Sequence, residues 1–449
     1  WQQIQSNERK TVGLVLAMGF LLCLLGYFVG GMFFDTDENR AERLQNVYEK
    51  ILIPEKIRRD LHPEDYNKPQ ESVIASVLFP NPAGSLLGVI VALIIWGILS
   101  VISYYSGDKI LLASSKAKQI EHSHHPVLFN VVEEMVIASG LSVIPKIYII
   151  DEAAPNAFAT GRNEEHASVA VTAGLLETLN RDELQGVIAH EIAHIKNKDV
   201  LFMTMLGTML GAIVLISDFT TRVLFRSGSS RRTSSSSRDK GGAIIIFYLI
   251  AVILILIAPI IAQFIFYASS RTREYLADAY SAVFTRYPEG LASALEKISS
   301  SNFGFKSASK ATAPMFIVNP LANLNATEEN WQSTHPPTQK RITILRAISG
   351  AAGLEEYNAA FCQVSGKAVG VIPFDSIDEE YNHQEIRQAT TTLDPLAMPL
   401  VRARQTNDAL WRVNGYVFID CDCETKLKIP NKYSGVQFAC PHCGREHVV

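Results

Sequence analysis

Cysteine is scarce in this sequence: six residues in 449, four of them between Cys421 and Cys443. That excludes a disulfide framework spread along the chain. An excess of charge of either sign is also missing. Lys and Arg number 41 against 45 Asp and Glu, a formal charge of −4, so no bulk field recommends a nucleic-acid partner. Charged side chains make up only 19% of the chain, and four stretches contain none: Thr11–Phe34, Ser72–Gly107, Val200–Ser217 and Gly241–Ser270. Each is near or above the roughly 18 residues that span a bilayer as a helix. The lipid bilayer is therefore the first expected partner. The first stretch is long for a signal-peptide core and reads as a retained anchor. The third contains Thr204, Gly207, Thr208 and Gly211, so a core helix or half-inserted segment is also open.

Basic residues orient these spans. Arg9 and Lys10 precede the first, and Lys109, Lys116 and Lys118 follow the second, which puts both flanks on the cytoplasmic side. Asp35–Glu71, with seven Lys or Arg against ten Asp or Glu, is expected outside. The Ser- and Arg-rich loop Asp218–Lys240 has almost nothing apolar to bury and reads as a flexible connector. Its positive charge conflicts with the same rule if the third and fourth stretches both cross fully.

Asn180–Asp199, NRDELQGVIAHEIAHIKNKD, holds the chemistry. Asn180 with Glu183 resembles a capping box, and Leu184, Val187, Ile188 and Ile192 form an apolar stripe, so a helix is expected. On it His190 and His194, four residues apart, share a face and can offer two imidazoles to one zinc ion. Glu191 beside them is placed to act as general base for water activated by the metal, the chemistry of peptide hydrolysis. The brackets Asn180–Glu183 and Lys196–Asp199 argue against a protease whose motif lies within hydrocarbon. A zinc-holding membrane scaffold without catalysis is the non-enzymatic alternative.

Before this helix, Lys146–Ile150 and Ala167–Thr172 read as strands, and Pro155–Gly161, PNAFATG, leads through a polar turn at Arg162–Glu165 into the second of them. A hairpin is expected, with an edge to which an extended peptide could add as a strand. His122, His124 and His125 precede Pro126 and read as solvated residues at a helix start. After the fourth apolar stretch, Glu274 and Asp278 share a helix face. Glu274 could supply a third zinc ligand with Asp278 orienting a ligand histidine, or both could pair with Arg271 and Arg273; spacing alone leaves these equal.

Four segments, PNAFATG, HEIAH, RTREYLADAYSA (Arg271–Ala282) and STHPPTQKRI (Ser333–Ile342), occur in an order that resembles the HtpX-type membrane zinc metalloproteases, relatives of the CAAX prenyl proteases. The resemblance covers roughly Gln119–Leu345. It implies a gluzincin-like fold with His190, His194 and Glu274 as zinc ligands, Glu191 as base and Asp278 behind the ligands. It also implies a substrate cleft bordered by Asn156, Ala157 and Phe158, and positions for His335 and Arg341 near the site. His335 is either an oxyanion donor or a helix-start histidine before Pro336 and Pro337.

The sequence departs from that pattern in two places: the loop Asp35–Glu71 is longer than a minimal turn, and a tail is added beyond about Gly350. Cys421, Cys423, Cys440 and Cys443 have the spacing of a zinc ribbon, which predicts a second, structural zinc and a reducing compartment, with a pair of disulfides as the alternative. The expected fold is mainly α with a small β-sheet, an α+β membrane-embedded metallopeptidase. Its domains are expected as 1–107, two membrane helices with an extracytoplasmic loop; 108–350, the metallopeptidase with apolar segments 200–217 and 241–270; 351–410, a linker or extension; and 411–449, the ribbon. The implied activity is cleavage of membrane-associated or misfolded proteins, with site and C-terminus facing the cytoplasm of a bacterial inner or plasma membrane.

Overall fold

The computed structural model describes residues 2–33, 82–208, 271–301, 315–318, 335–372, 384–390 and 398–448. The loop 35–71, residues 209–217 of the third apolar stretch, the Ser/Arg-rich loop 218–240, the apolar stretch 241–270, and Ser333 and Thr334 lie outside the described residues. Two units make up the chain: one of Trp1–Thr11, Tyr104–Thr208 and Phe266–Val449, the other of Val12–Ser103 and Met209–Ile265.

The second unit holds the greater part of helices α1 (Gln2–Phe33) and α2 (Pro82–Ser114). They meet where both lack side chains. Gly26 and Gly30 on one helix, and Gly84 and Gly88 on the other, are each four residues apart and so share a face. A Cβ on Gly88 would stand 2.0 Å from the Gly26 carbonyl oxygen, so only glycine permits this approach. Trp96 Nε1 donates to the Val15 carbonyl at 3.0 Å. Among the described residues, Ala83–Ser114 is the one helix long and apolar enough to cross a membrane, with mean hydropathy 2.7. Leu86, Ile94, Ile98 and Val101 along it are exposed. Thr11–Tyr27 and Asp199–Thr208 are shorter apolar helices.

The first unit is mainly helical around one four-stranded sheet, the expected fold class. Strands β1 (Lys118–Gln119), β2 (Lys146–Ile150), β3 (Ala157–Thr160) and β4 (Ser168–Thr172) lie in the order β1-β2-β4-β3. β4 runs parallel to β2 and antiparallel to β3, with Phe158 opposite Ala170. The expected hairpin is therefore present. β4, SVAVT, is buried at every residue, as a central strand covered on both faces must be.

Helix α3 (Pro126–Ser139) starts with proline and ends at Gly140, whose φ of 70° suits a left-handed cap. Its N-cap corrects the reading of the histidine cluster. His125 is not solvated: it is buried, and its Nδ1 accepts the Leu128 N–H at 3.2 Å. After α4 (Ala173–Thr178) comes α5 (Arg181–Lys196), whose capping box is complete: Glu183 N–H donates to Asn180 Oδ1 and Asn180 N–H to Glu183 Oε2. Helix α6 (Asp199–Thr208) follows, then α7 (271–285) and α8 (Pro288–Ser299). Gly186 lets α8 approach α5 closely, since a Cβ there would meet Leu291 N at 2.6 Å.

Helices α9 (Thr338–Ala347), α10 (Leu354–Ser365) and α11 (Pro399–Val413) complete the unit. Leu354, Tyr357, Phe361 and Ala409 belong to the same apolar core as Val187, Ile188 and Ala279. Residues expected as a linker thus contribute packed side chains, the larger ones worth about 2 kcal/mol of burial each. The C-terminal segment forms two hairpins, β5 (Tyr416–Asp420) with β6 (Lys426–Pro430) and β7 (Gln437–Ala439) with β8 (Glu446–Val448).

Candidate active site

The α5 periodicity puts His190 and His194 on one face, and their Nε2 atoms are 3.2 Å apart. Glu274, on α7, brings Oε2 to 3.6 Å from His190 Nε2 and Oε1 to 3.6 Å from His194 Nε2. Ligand atoms of these three side chains all lie within 4.8 Å of one another. His190, Glu191 and Glu274 are buried. The choice that spacing left open is resolved: Glu274 faces the histidines.

Two buried carboxylates stand behind the rings. Asp278 Oδ1 is 3.0 Å from His190 Nδ1, and Asp199 Oδ2 is 3.1 Å from His194 Nδ1. Asp278 in turn accepts two bonds from Arg341, at 2.8 Å from Nε and 2.7 Å from Nη2. Arg341 Nη1 donates to the Ile317 carbonyl at 2.9 Å. The arginine is fully buried, so it acts from beneath the site.

Burial disfavours charge on His190, yet Asp278 and Glu274 outweigh it and raise the ring to about 9. Burial lowers His335 to about 4, which keeps that ring neutral at pH 7. Burial would lift Glu274, but the imidazoles around it, His335, His190 and His194, outweigh that and hold it well below the usual carboxylate range. Glu191 is pushed upward by burial, although the neighbouring histidines and a bond from the Ala159 backbone oppose this. A buried carboxylate of raised pKa beside a cluster of metal-ligating atoms is the arrangement a proton-transferring base requires.

Residues 123–349 match the family model of Peptidase family M48. A protein described as "Protease HtpX homolog" from Dictyoglomus turgidum is 45% identical over 262 residues, 58% of this chain and 82% of that protein. Another so described, from Thermoanaerobacter pseudethanolicus, is 45% identical over 265 residues, covering 59% and 86%. This chain belongs to peptidase family M48. A crystal structure of S. mikatae Ste24p aligns at 24% identity and TM-score 0.36, covering 59% of each chain.

As a member of M48 the chain is a zinc metalloprotease, and its residues fit that ion. Ligand atoms about 2.0 Å from a tetrahedral zinc stand roughly 3.3 Å apart; the two Nε2 atoms here are 3.2 Å apart and each has one Glu274 oxygen at 3.6 Å, Oε2 for His190 and Oε1 for His194. Glu274 Oε2 is buried without a hydrogen-bond partner. Two imidazole nitrogens and a carboxylate so close together, one carboxylate oxygen orphaned, make the donor set that a zinc ion takes.

The other residues that the resemblance implies for the site divide. His335 Nε2 lies 3.5 Å from Glu274 Oε2 and so borders the cluster. Asn156, Ala157 and Phe158 need a correction. Their edge was read as open to a peptide, but residues 315–318 of the chain itself pair there. Ile317 N–H donates to the Ala157 carbonyl at 3.0 Å, Asn156 Nδ2 donates to the Val318 carbonyl at 2.8 Å, and Phe158 packs edge-on against Phe316. All three residues are buried. A ladder partner some 160 residues downstream leaves no local signal in the sequence.

Two participants escaped the sequence reading altogether. Asp199 lies beyond the end of α5, and Lys198, at φ 56°, turns the chain so that this carboxylate reaches back to His194. A lone acid entering an apolar run was the available signal. Tyr357, from α10, is fully buried, and burial and the Asp278 charge raise its phenol well above the usual range. Away from this site, Cys421, Cys423, Cys440 and Cys443 converge, with Sγ pairs at 3.4 and 3.7 Å. Glu424 and Gly444 take positive φ in the two knuckle turns.

Proposed function

We propose that this M48 protease is a membrane-embedded endopeptidase cleaving membrane-associated or misfolded proteins at the cytoplasmic surface. The observation that carries the reading is the convergence of His190, His194 and Glu274 beside the buried Glu191 carboxylate. His190, His194 and Glu274 would hold the zinc ion, which would supply a Lewis acid and lower the pKa of water there. Glu191 takes the proton of the attacking water and passes it to the leaving amine, its backbone bond from Ala159 keeping the carboxylate aimed. Asp199 fixes the tautomer of His194 by accepting at its Nδ1, and Asp278 sets a negative charge 3.0 Å from Nδ1 of His190. His335, neutral at pH 7, keeps an N–H to offer a developing oxyanion. Substrate enters beside the wall formed by β3 and residues 315–318, with Asn156, Ala157 and Phe158 supporting that wall from behind.

The domain scheme read from sequence is kept, except that 351–410 is assigned to the catalytic unit. Membrane embedding is supported by α2, and the inside placement by Lys109, Lys116 and Lys118 after its apolar run. Arg162, in the β3–β4 turn, lies over the Tyr104 and Tyr105 rings at 5.9 and 5.5 Å. Tyrosines at the end of an apolar helix mark a membrane interface, so that turn belongs near the surface. The four thiolates hold a structural zinc, since zinc–sulfur bonds of about 2.3 Å imply Sγ separations of roughly 3.8 Å.

The test is cleavage of casein by the detergent-solubilised chain with and without a chelator. The zinc-loaded chain should cleave and the chelated chain should not. Glu191→Gln should keep both zinc ions while turnover falls about a thousandfold. Intact casein after incubation with zinc-loaded chain would leave a binding scaffold as the better account.

A further inference from the structure

The polar segment 384–390 lies beyond the stretch that matches M48. It is anchored at one end where Gln384 and Glu385 pair antiparallel with Ala352 and Ala351. From there it crosses the end of α7, with Arg387 N–H donating to the Arg286 carbonyl at 2.9 Å. The Arg387 guanidinium then spans two helices. Nε donates to the Thr285 carbonyl at 2.9 Å, at the end of α7. Nη2 donates to Asp182 Oδ1 and to Gln185 Oε1, both at 2.8 Å, in the first turns of α5. Its plane rests on the Tyr287 ring at 4.8 Å. Thr390 completes the junction: its N–H and hydroxyl donate to the two Asp182 oxygens at 2.8 and 2.7 Å.

The helices so joined are the two that carry the proposed zinc ligands. We infer that Arg387 is a positioning residue, holding α5 and α7 at the mutual angle at which His190, His194 and Glu274 meet one ion, with Thr390 fixing the same end of α5. The inference rests on the zinc-site reading above. The lever is long. Asp182 precedes His190 by eight residues, about 12 Å of helix, and Thr285 follows Glu274 by eleven, about 16 Å. A tilt of about 5° at the strap moves a ligand atom by roughly 1 Å, several times the few tenths of an ångström a zinc site tolerates. Two other links also tie the helices together. Ser281 Oγ donates to the Gly186 carbonyl at 2.8 Å, and Asp278 approaches His190 directly. Losing the strap therefore weakens the site without dismantling it.

The chemistry explains why arginine is needed. One planar group must donate along different directions to a helix-end carbonyl, a carboxylate and an amide oxygen, while its face lies on a tyrosine. Lysine supplies the charge but not the fork.

The experiment uses the full chain in detergent and follows zinc release under titration with a chelator. The His190→Ala chain identifies which release step belongs to the proposed active site, and the cysteine cluster serves as internal reference. Arg387→Ala should shift the active-site step by about tenfold in zinc affinity, as loss of an outer partner of a metal site does. The cysteine step should stay in place. In the zinc-saturated variant kcat should fall with KM within twofold, and Arg387→Lys should not restore zinc affinity. An unshifted active-site step in folded Arg387→Ala overturns the inference, as does restoration by lysine to within twofold. A purely structural strap would lower the melting temperature and leave both zinc affinity and kcat alone. Should Arg387→Ala fail to fold, Thr390→Val removes one bond only; a two- to threefold shift of the same step supports the inference, and none overturns it. Zinc release is read without turnover, so a zinc-loaded chain that binds but never cleaves would sink the peptidase reading and leave this test standing.

Discussion

Replacing Arg341 with methionine should be among the most damaging single changes in the molecule, and the structure sets its size. Asp278 is fully buried and receives two guanidinium N–H groups, at 2.7 and 2.8 Å. A third donor satisfies the Ile317 carbonyl. Methionine fills much of the volume but leaves a buried carboxylate with only His190 to face, and an orphaned carbonyl. Breaking a buried pair in this way costs about 3–5 kcal/mol, and the carbonyl adds about 1–3 kcal/mol. Total stability of a domain is on the order of 5–15 kcal/mol, so the loss is severe but measurable. The sign with pH follows from Asp278. In the intact chain burial pushes this carboxyl up, and Arg341 and His190 outweigh that and hold it low. Its contribution is then present above the ordinary carboxylate pKa near 4 and is lost as pH falls through the depressed value. Without Arg341 burial prevails, the carboxyl rises, and the variant's deficit shrinks as pH falls from 8 to 5. Urea titration of the zinc-loaded chain in detergent, followed by helical circular dichroism, measures both effects. Adding Asp278→Asn to Arg341→Met should recover a large part of the loss, because a neutral amide needs no counter-charge. A deficit under about 1 kcal/mol, or no recovery in the double variant, would refute the buried-pair argument.

Three further outcomes are expected. Asp199→Asn should weaken zinc binding at the histidine site by about 10- to 100-fold in a competition assay while leaving the fold unchanged; equal affinity would mean that His194 needs no orienting carboxylate. His125, lowered by burial to about 4, must stay neutral to accept from Leu128. Its folded pKa lies below the unfolded value of 6.5, so the stability it confers is complete above 6.5 and falls by up to about 3 kcal/mol as pH drops to 4. His125→Asn keeps a capping oxygen and should flatten that part of the stability profile relative to the unaltered chain. Cys423→Ser should reduce bound zinc from two ions per chain to one and leave casein cleavage within a factor of two; loss of both ions would join the two sites.

Much of the fold was legible because its signals are local. Asn180 and Glu183 announce α5 within four residues, and the bonds are made as the spacing requires. Pro126 and Gly140 bracket α3, and the two runs of apolar and small residues joined by the polar turn at Arg162–Glu165 yield the antiparallel pair. What failed depended on distant partners. His125 is polar and sits at a helix start, so nothing local says that it will be buried. The outer edge of β3 looks free until residues 315–318 arrive. The tail beyond 350 is rich in polar residues, and its core members Leu354, Tyr357, Phe361 and Ala409 stand out only when the helices they must cover are in place.

The same division runs through the site. Residues whose role follows from direct metal chemistry, His190, Glu191 and His194, were visible from spacing on one helix, and Glu274 needed only the resemblance to settle it. The groups that orient them were visible in proportion to their nearness in sequence. Asp278 lies one turn from Glu274 and was read; Asp199 lies five residues past His194, beyond a left-handed turn at Lys198, and was not. Arg341 entered by motif, but its bidentate grip on Asp278 did not. Arg387 carried no signal, because its partners Asp182, Gln185 and Thr285 lie on two other helices. Each step outward from the ion replaces a short-range rule of helical geometry by a tertiary contact, and the sequence pattern loses force at that same rate. A substitution scan should reverse the order of legibility: ligand changes abolish zinc binding, changes at Asp199 and Asp278 weaken it, and changes at Arg387 shift it least. If Arg387→Ala cost more zinc affinity than Asp199→Asn, the site would be held chiefly by the angle between its helices rather than by the carboxylates behind its rings.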